Sequence, residues 1–161
     1  MRGIQQLLQQ HALFQDLPEA DLTLIGGCGE NCVYNAGEYI ARENAPADFF
    51  YVIREGRVAV ETYMPNHGAL CLQTLHDGDI FGWSWLFPPY RWTFDARALE
   101  KVRAVRLDGK CLRQKCEEDP RLGFELMKRF ARIVTERLQA TRLQLLDVYS
   151  SERPRTAETR Q

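Results

Sequence analysis

Positions 83 to 94 hold six aromatic side chains, Trp83, Trp85, Phe87, Tyr90, Trp92 and Phe94, and every Trp of the chain is among them. Arg91 lies inside this run and Arg97 just beyond it. Some of these rings must face a core as ordinary packing, because a strand or short helix in a wall has two sides. The remainder faces a pocket or a partner. Exposed Trp and Tyr beside Arg form the hot spot of a protein interface, and the same side chains stack on a flat nucleobase or nicotinamide ring. The residues leave both uses open. Catalysis fits poorly: no His, Cys or carboxylate set forms a nucleophile-and-base motif, and no Gly-rich phosphate loop precedes a helix.

The five cysteines, Cys28, Cys32, Cys71, Cys111 and Cys116, are an odd set. Met1 to Gln10 lacks the continuous apolar stretch of an export signal or a membrane anchor, which predicts a cytoplasmic chain with reduced, buried or incidental thiols. Structural zinc usually needs two closely spaced ligand pairs, whereas His11, His67 and His76 are scattered, so no metal is expected. The net charge of -1, from 21 basic and 22 acidic residues, gives no field to hold a polyanion. Neither nucleic acid nor an acidic membrane is an expected partner.

These residues need a scaffold, and 161 residues, 45% of them hydrophobic, suffice for one domain with its own core. Apolar residues at Ile4, Leu7, Leu8, Ala12 and Leu13 predict a helix over residues 4–13. A second short helix starts at Pro18, carries Glu19 and Asp21 in its first turn and stops at Gly26-Gly27. From residue 31 to about 107, short runs rich in Val, Ile, Tyr and Phe are broken by Asn35-Ala36-Gly37, Glu55-Gly56, Pro65-Asn66-His67-Gly68 and Asp77-Gly78-Asp79. That texture predicts antiparallel strands joined by tight turns, closed into a barrel or jelly roll that hides its edges.

Asp119-Pro120 then starts one long helix over about residues 119–149, since Asp caps and Pro is tolerated at the first helical position. Met127, Ala131, Val134, Leu138, Thr141, Leu145 and Val148 follow one another by alternating steps of four and three, the heptad seam of a two-stranded coiled coil. A homodimer through that seam is expected. The fold class predicted is mainly β: an antiparallel jelly-roll barrel with N-terminal helices and a long C-terminal dimerisation helix, one domain over residues 1–149 followed by a disordered polar tail over 150–161.

The order of these elements resembles the cyclic-nucleotide-binding domain of the CRP/FNR regulators and of cyclic-nucleotide-gated channels, over about residues 13–149. The points of likeness are Phe14-x-x-Leu17-Pro18, Ala36-Gly37-Glu38-Tyr39-Ile40, Asp48-x-x-Tyr51-Val52-Ile53-x-x-Gly56-x-Val58 and Leu75-x-x-Gly78-Asp79-x-Phe81-Gly82. The last leads into the phosphate-binding cassette. In that family a glutamate just after the cassette glycine holds the ribose hydroxyl, and an arginine followed by a small residue pairs with the cyclic phosphate. Here Trp83 stands in the glutamate's place, and Trp92 follows the best-matching arginine, Arg91. The resemblance implies a candidate nucleotide- or phosphate-binding set of Gly82, Trp83, Ser84, Trp85, Arg91, Trp92, Thr93 and Arg97. Either arginine would grip phosphate as a bidentate fork, aided by backbone N–H groups of a short cassette helix. The plainer use of either is an ion pair with Asp95 or another surface carboxylate.

Two indoles where the family has an acid and a small residue argue against ordinary cyclic AMP capture. The chain also ends about a dozen residues after Tyr149, where CRP/FNR regulators continue into a helix-turn-helix, so DNA reading is not expected. The aromatic cassette is similar to that of the small accessory subunits of soluble NAD-linked nickel–iron hydrogenases. This second resemblance implies a non-catalytic homodimer docked beside the diaphorase subunits of a redox complex, with no tightly bound cofactor and NADPH as a ligand for reactivation. The competing expectation is a free-standing sensor of a cyclic mononucleotide.

Overall fold

The computed structural model describes residues 3–151. The chain divides into two compact units, one running to Gly123 and the other from Phe124 onward. The first contains two short helices, α1 (Ile4–Gln9) and α2 (Glu19–Gly26), then eight strands, then α3 (Gly109–Glu118). The strands are β1 (Gly29–Tyr34), β2 (Tyr39–Ala41), β3 (Phe49–Glu55), β4 (Val58–Met64), β5 (Gly68–Leu75), β6 (Ile80–Phe81), β7 (Asp95–Ala98) and β8 (Val102–Asp108). A last helix, α4 (Pro120–Ser151), starts in the first unit and makes up the described part of the second.

The strands pair antiparallel into two four-stranded sheets, ordered β1-β8-β3-β6 and β2-β7-β4-β5. Side chains alternate across each strand, so one set from each sheet meets inside. Tyr51, Ile53, Phe81, Val102 and Ala104 from the first sheet form one core with Val58, Val60, Leu75, Ala96 and Ala98 from the second. This is the antiparallel jelly roll that the turn spacing calls for. Gly37, Gly56, Gly78 and Gly82 all have positive φ, as the tight turns require.

Four expectations are corrected. The first helix stops at Gln9, because His11 ends it: the Leu13 N–H donates to His11 Nδ1 at 3.1 Å, which holds residues 11–13 in a turn. Residues 109–118 form a separate helix that the sequence reading missed, capped by Asp108, whose carboxylate accepts the Cys111 N–H at 2.7 Å. The thiols are not all reduced. Cys28 and Cys111 form a disulfide across 83 residues, while Cys32, Cys71 and Cys116 are free. Pairing of β1 with β8 sets Gly29 opposite Leu107, so those two cysteines meet only in the folded sheet. Finally, Ser150 and Ser151 continue α4 and do not begin a tail; residues 152–161 lie outside the described residues.

Asp119 accepts the Leu122 N–H at 3.2 Å and so caps α4, with Pro120 first in the helix. Its 32 residues extend about 48 Å. Along the heptad seam Met127 is half-buried, Ala131 and Thr141 are exposed, and Leu138, Leu145 and Val148 are 65%, 53% and 54% exposed.

Candidate functional site

The aromatic cassette connects β6 to β7. Gly82, at φ +90°, turns the chain out of β6. A single 3-10 turn, Ser84–Leu86, follows, closed by the Leu86 N–H on the Trp83 carbonyl at 3.0 Å. Trp85 is fully buried and meets Phe50 edge-on at 6.4 Å between ring centroids. It rests on the start of α3, where a Cβ added to Gly109 would stand 2.5 Å from the Trp85 Cβ. Arg113, one turn further along α3, donates to the Trp85 carbonyl, and its guanidinium lies 4.3 Å from the centre of the Tyr90 ring.

Arg91 and Trp92 part company at the end of the cassette. The segment pairs with residues 44–47: the Trp92 N–H donates to the Ala45 carbonyl at 3.0 Å, and the Trp92 carbonyl accepts from the Asn44 N–H at 2.9 Å. Adjacent side chains on extended backbone face opposite sides. Trp92 therefore enters the barrel, 4% exposed, with ring centroids 6.3 Å from Tyr51, 6.3 Å from Phe81 and 5.7 Å from Phe94. Tyr51 and Phe81 stack at 4.7 Å beside it. Arg91 is exposed on the outside, where Nη1 donates to the Asn44 carbonyl at 2.7 Å.

Arg97 is also outside. Ala96 and Ala98 fill the core, so the residue between them on β7 points the other way. Its Nε donates to Glu61 Oε1 at 2.6 Å. That hydrogen bond and charge hold the guanidinium above its ordinary pKa. Glu61 is 4% exposed, a carboxylate whose burial requires that partner. Asp95, the partner considered from sequence, takes Arg42 at 3.7 Å and the Glu43 N–H at 2.7 Å instead.

The candidate residues thus do not converge on one cavity. Gly82 and Trp92 touch inside the barrel, Trp85 is sealed against α3, Arg91 faces outward from the end of the cassette and Arg97 from β7. Trp83 and Ser84 are half-buried, and Thr93 is exposed. Of the remaining aromatics Phe87 and Tyr90 are 62% and 37% exposed, on the same outer stretch as Arg91. Sequence reasoning missed Arg113 and Gly109 because α3 itself was missed. It also gave no role to Tyr51, whose hydroxyl lies 3.5 Å from that of Tyr34 and is pushed well above its ordinary pKa by burial. Among the described residues no cluster of His, Cys, Asp or Glu could hold a metal ion, and no helix is long and apolar enough to cross a membrane.

The sequence pattern of the cyclic nucleotide-binding domain matches residues 32–119. The chain belongs to that family, whose domains are regulatory and carry no catalytic machinery. Among solved structures it is similar to one from Geobacter metallireducens described as a cyclic nucleotide-binding protein, at 32% identity and a TM-score of 0.74, covering 86% of this chain and 99% of that one. A cyclic nucleotide-binding domain from Methylobacillus flagellatus shares the fold at 19% identity and a TM-score of 0.76, covering 90% of this chain and 82% of that one. Human cGMP-dependent protein kinase 2 is 34% identical over 76 residues, 47% of this chain but only 10% of the kinase.

Proposed function

We propose that the chain is a non-catalytic regulatory module that works as a homodimer and docks on a larger redox enzyme through the outer side of its cassette. The partner in this reading is the diaphorase part of a soluble NAD(P)-linked hydrogenase. The observation that carries it is the pair Arg91 and Trp92: the indole occupies the barrel beneath Gly82, and the guanidinium stands outside, on the stretch of chain that also exposes Tyr90 and Phe87. A compact cyclic phosphate inside the barrel would find no cation from either candidate arginine. An exposed Arg beside exposed aromatic rings is the composition of an interface hot spot. It also suits a larger dinucleotide such as NADPH, laid against Tyr90 with a phosphate at Arg91.

A second reading, a sensor of a cyclic mononucleotide, is favoured by membership of the family and by the 32% identity to the Geobacter metallireducens protein. Two measurements separate the readings. Native purification followed by mass measurement should return the chain with flavin and iron–sulfur subunits; an isolated dimer favours the sensor. Titration of Trp fluorescence should respond to NADPH or NADH more strongly than to cyclic AMP or cyclic GMP. Saturable capture of cyclic AMP by the purified chain would overturn the proposal.

A further inference from the structure

The cassette rests on the first turn of α3, and that turn is tied down by a bond that can be broken chemically. Cys28 lies just after α2, and its carbonyl accepts the Asp108 N–H at 2.8 Å. Its sulfur is bonded to Cys111, the third residue of α3, with the two Cα atoms 5.6 Å apart. Around that bond the turn carries the cassette directly. Gly109 lies against Trp85 with no room for a methyl group and donates its N–H to the Asp48 carbonyl at 2.8 Å. Arg113 holds the Trp85 carbonyl and sits against the Tyr90 ring. Two residues on either side of Cys111, then, are Gly109 and Arg113, the two that seat the cassette.

We propose that the Cys28–Cys111 pair is a thiol–disulfide site through which an external dithiol controls the order of the cassette. A thiolate of the dithiol attacks the Sγ of Cys111, the more exposed of the two residues: Cys111 is half-buried and Cys28 only 8% exposed. The Cys28–Cys111 bond breaks, and Cys28 leaves as a thiolate that takes up a proton. The second thiol of the reductant then displaces Cys111 from the mixed disulfide. Two electrons and two protons pass to the protein, and the dithiol becomes a disulfide. Reduced, α3 keeps its Asp108 cap but loses its covalent hold on the end of α2, so the turn beneath Trp85 and Tyr90 gains freedom. The bond acts on the cassette itself, whatever partner or nucleotide the cassette meets.

The test needs no partner. After equilibration with oxidised glutathione, peptide mass spectrometry of the denatured protein should find Cys28 joined to Cys111 and Cys32, Cys71 and Cys116 outside that bond, and all five should alkylate after dithiothreitol. Amide hydrogen exchange, followed by mass spectrometry, should then quicken severalfold over residues 83–91 on reduction while β4 exchanges at an unchanged rate. The Cys28→Ser, Cys111→Ser double variant should match the reduced protein in that pattern; the wild-type comparison stands alone if the variant does not fold. Cys28 and Cys111 left unjoined under oxidised glutathione would overturn the proposal. So would unchanged exchange in the cassette, or a uniform rise across the barrel, since the bond would then be a general staple.

Discussion

Gly82 and Trp92 are in contact so close that a Cβ at position 82 would stand 2.5 Å from the far edge of the indole, its Cη2 atom. The glycine also has φ +90°, a region that L side chains rarely adopt. Gly82→Ala therefore adds backbone strain and overpacking together, and should cost at least about 2 kcal/mol in urea unfolding. Trp92→Ala removes the largest ring of the inner cluster and should cost about 3–5 kcal/mol. A Gly82→Ala chain as stable as the wild type would mean that the indole does not sit beneath the turn.

The two outer arginines should behave differently. Arg97→Ala strands the Glu61 carboxylate, 4% exposed, without its guanidinium, and should lower stability by about 1–3 kcal/mol. Arg91→Ala loses one exposed hydrogen bond to the Asn44 carbonyl and should change stability by less than about 0.5 kcal/mol. The order inverts for binding. Any Trp fluorescence response to a nucleotide, or retention of the redox partner in a pull-down, should fall in Arg91→Ala and survive in Arg97→Ala. Equal binding losses in the two variants would refute the assignment of Arg91.

Alkaline pH supplies a separate check on the inner cluster. Burial holds the Tyr51 phenol in its neutral form, so its folded pKa lies well above the ordinary 10.0. The sign follows: the stabilisation is complete below about pH 10 and is lost as pH rises toward the folded value, because the unfolded chain gives up that proton first. Tyr34, also raised chiefly by burial, adds to the same loss, and the half-buried Cys32 thiol begins it earlier, above its ordinary 9.0. Tyr51→Phe keeps the stacked ring on Phe81 and removes one titrating group. Its melting temperature should fall less steeply than that of the wild type between about pH 9.5 and 11.5. Parallel slopes would show that Tyr51 ionises as easily folded as unfolded.

The fold was legible because its signals are local. Turn residues such as Glu55-Gly56 and Asp77-Gly78 recur where the chain reverses, and the Asp119-Pro120 start of α4 is written in two adjacent residues. The site was less so because its geometry depends on which side of a strand each residue takes. Arg91 and Trp92 are neighbours in sequence, and only the pairing with residues 44–47 decides that the indole goes in and the guanidinium out. The same holds for Arg97, whose outward direction follows from Ala96 and Ala98 being the inward pair. The Cys28–Cys111 bond joins residues brought together by sheet register, which no local spacing records. Asp108 as the cap of α3 was the available signal for that helix, and Gly109 after it reads as a turn until its contact with Trp85 is known.

The seam on α4 yields the prediction on self-association. Leu138 and Leu145 are 65% and 53% exposed within one chain, an arrangement unfavourable for a soluble helix unless a second surface covers it. They lie one heptad apart, and Val134, Thr141 and Val148 interleave with them by steps of three and four, so a partner helix would receive them as knobs in holes. Leu143 is 68% exposed but lies off that seam, on the outer side of such a pair. Leu138→Glu with Leu145→Glu would bury four carboxylates in a symmetric dimer paired through this seam and should give monomers by light scattering at micromolar concentration. Leu143→Glu, carrying a like charge change at an equally exposed leucine, should leave the dimer intact. A dimer that survives the double substitution, or dissociates with Leu143→Glu, would place the contact elsewhere than on this seam.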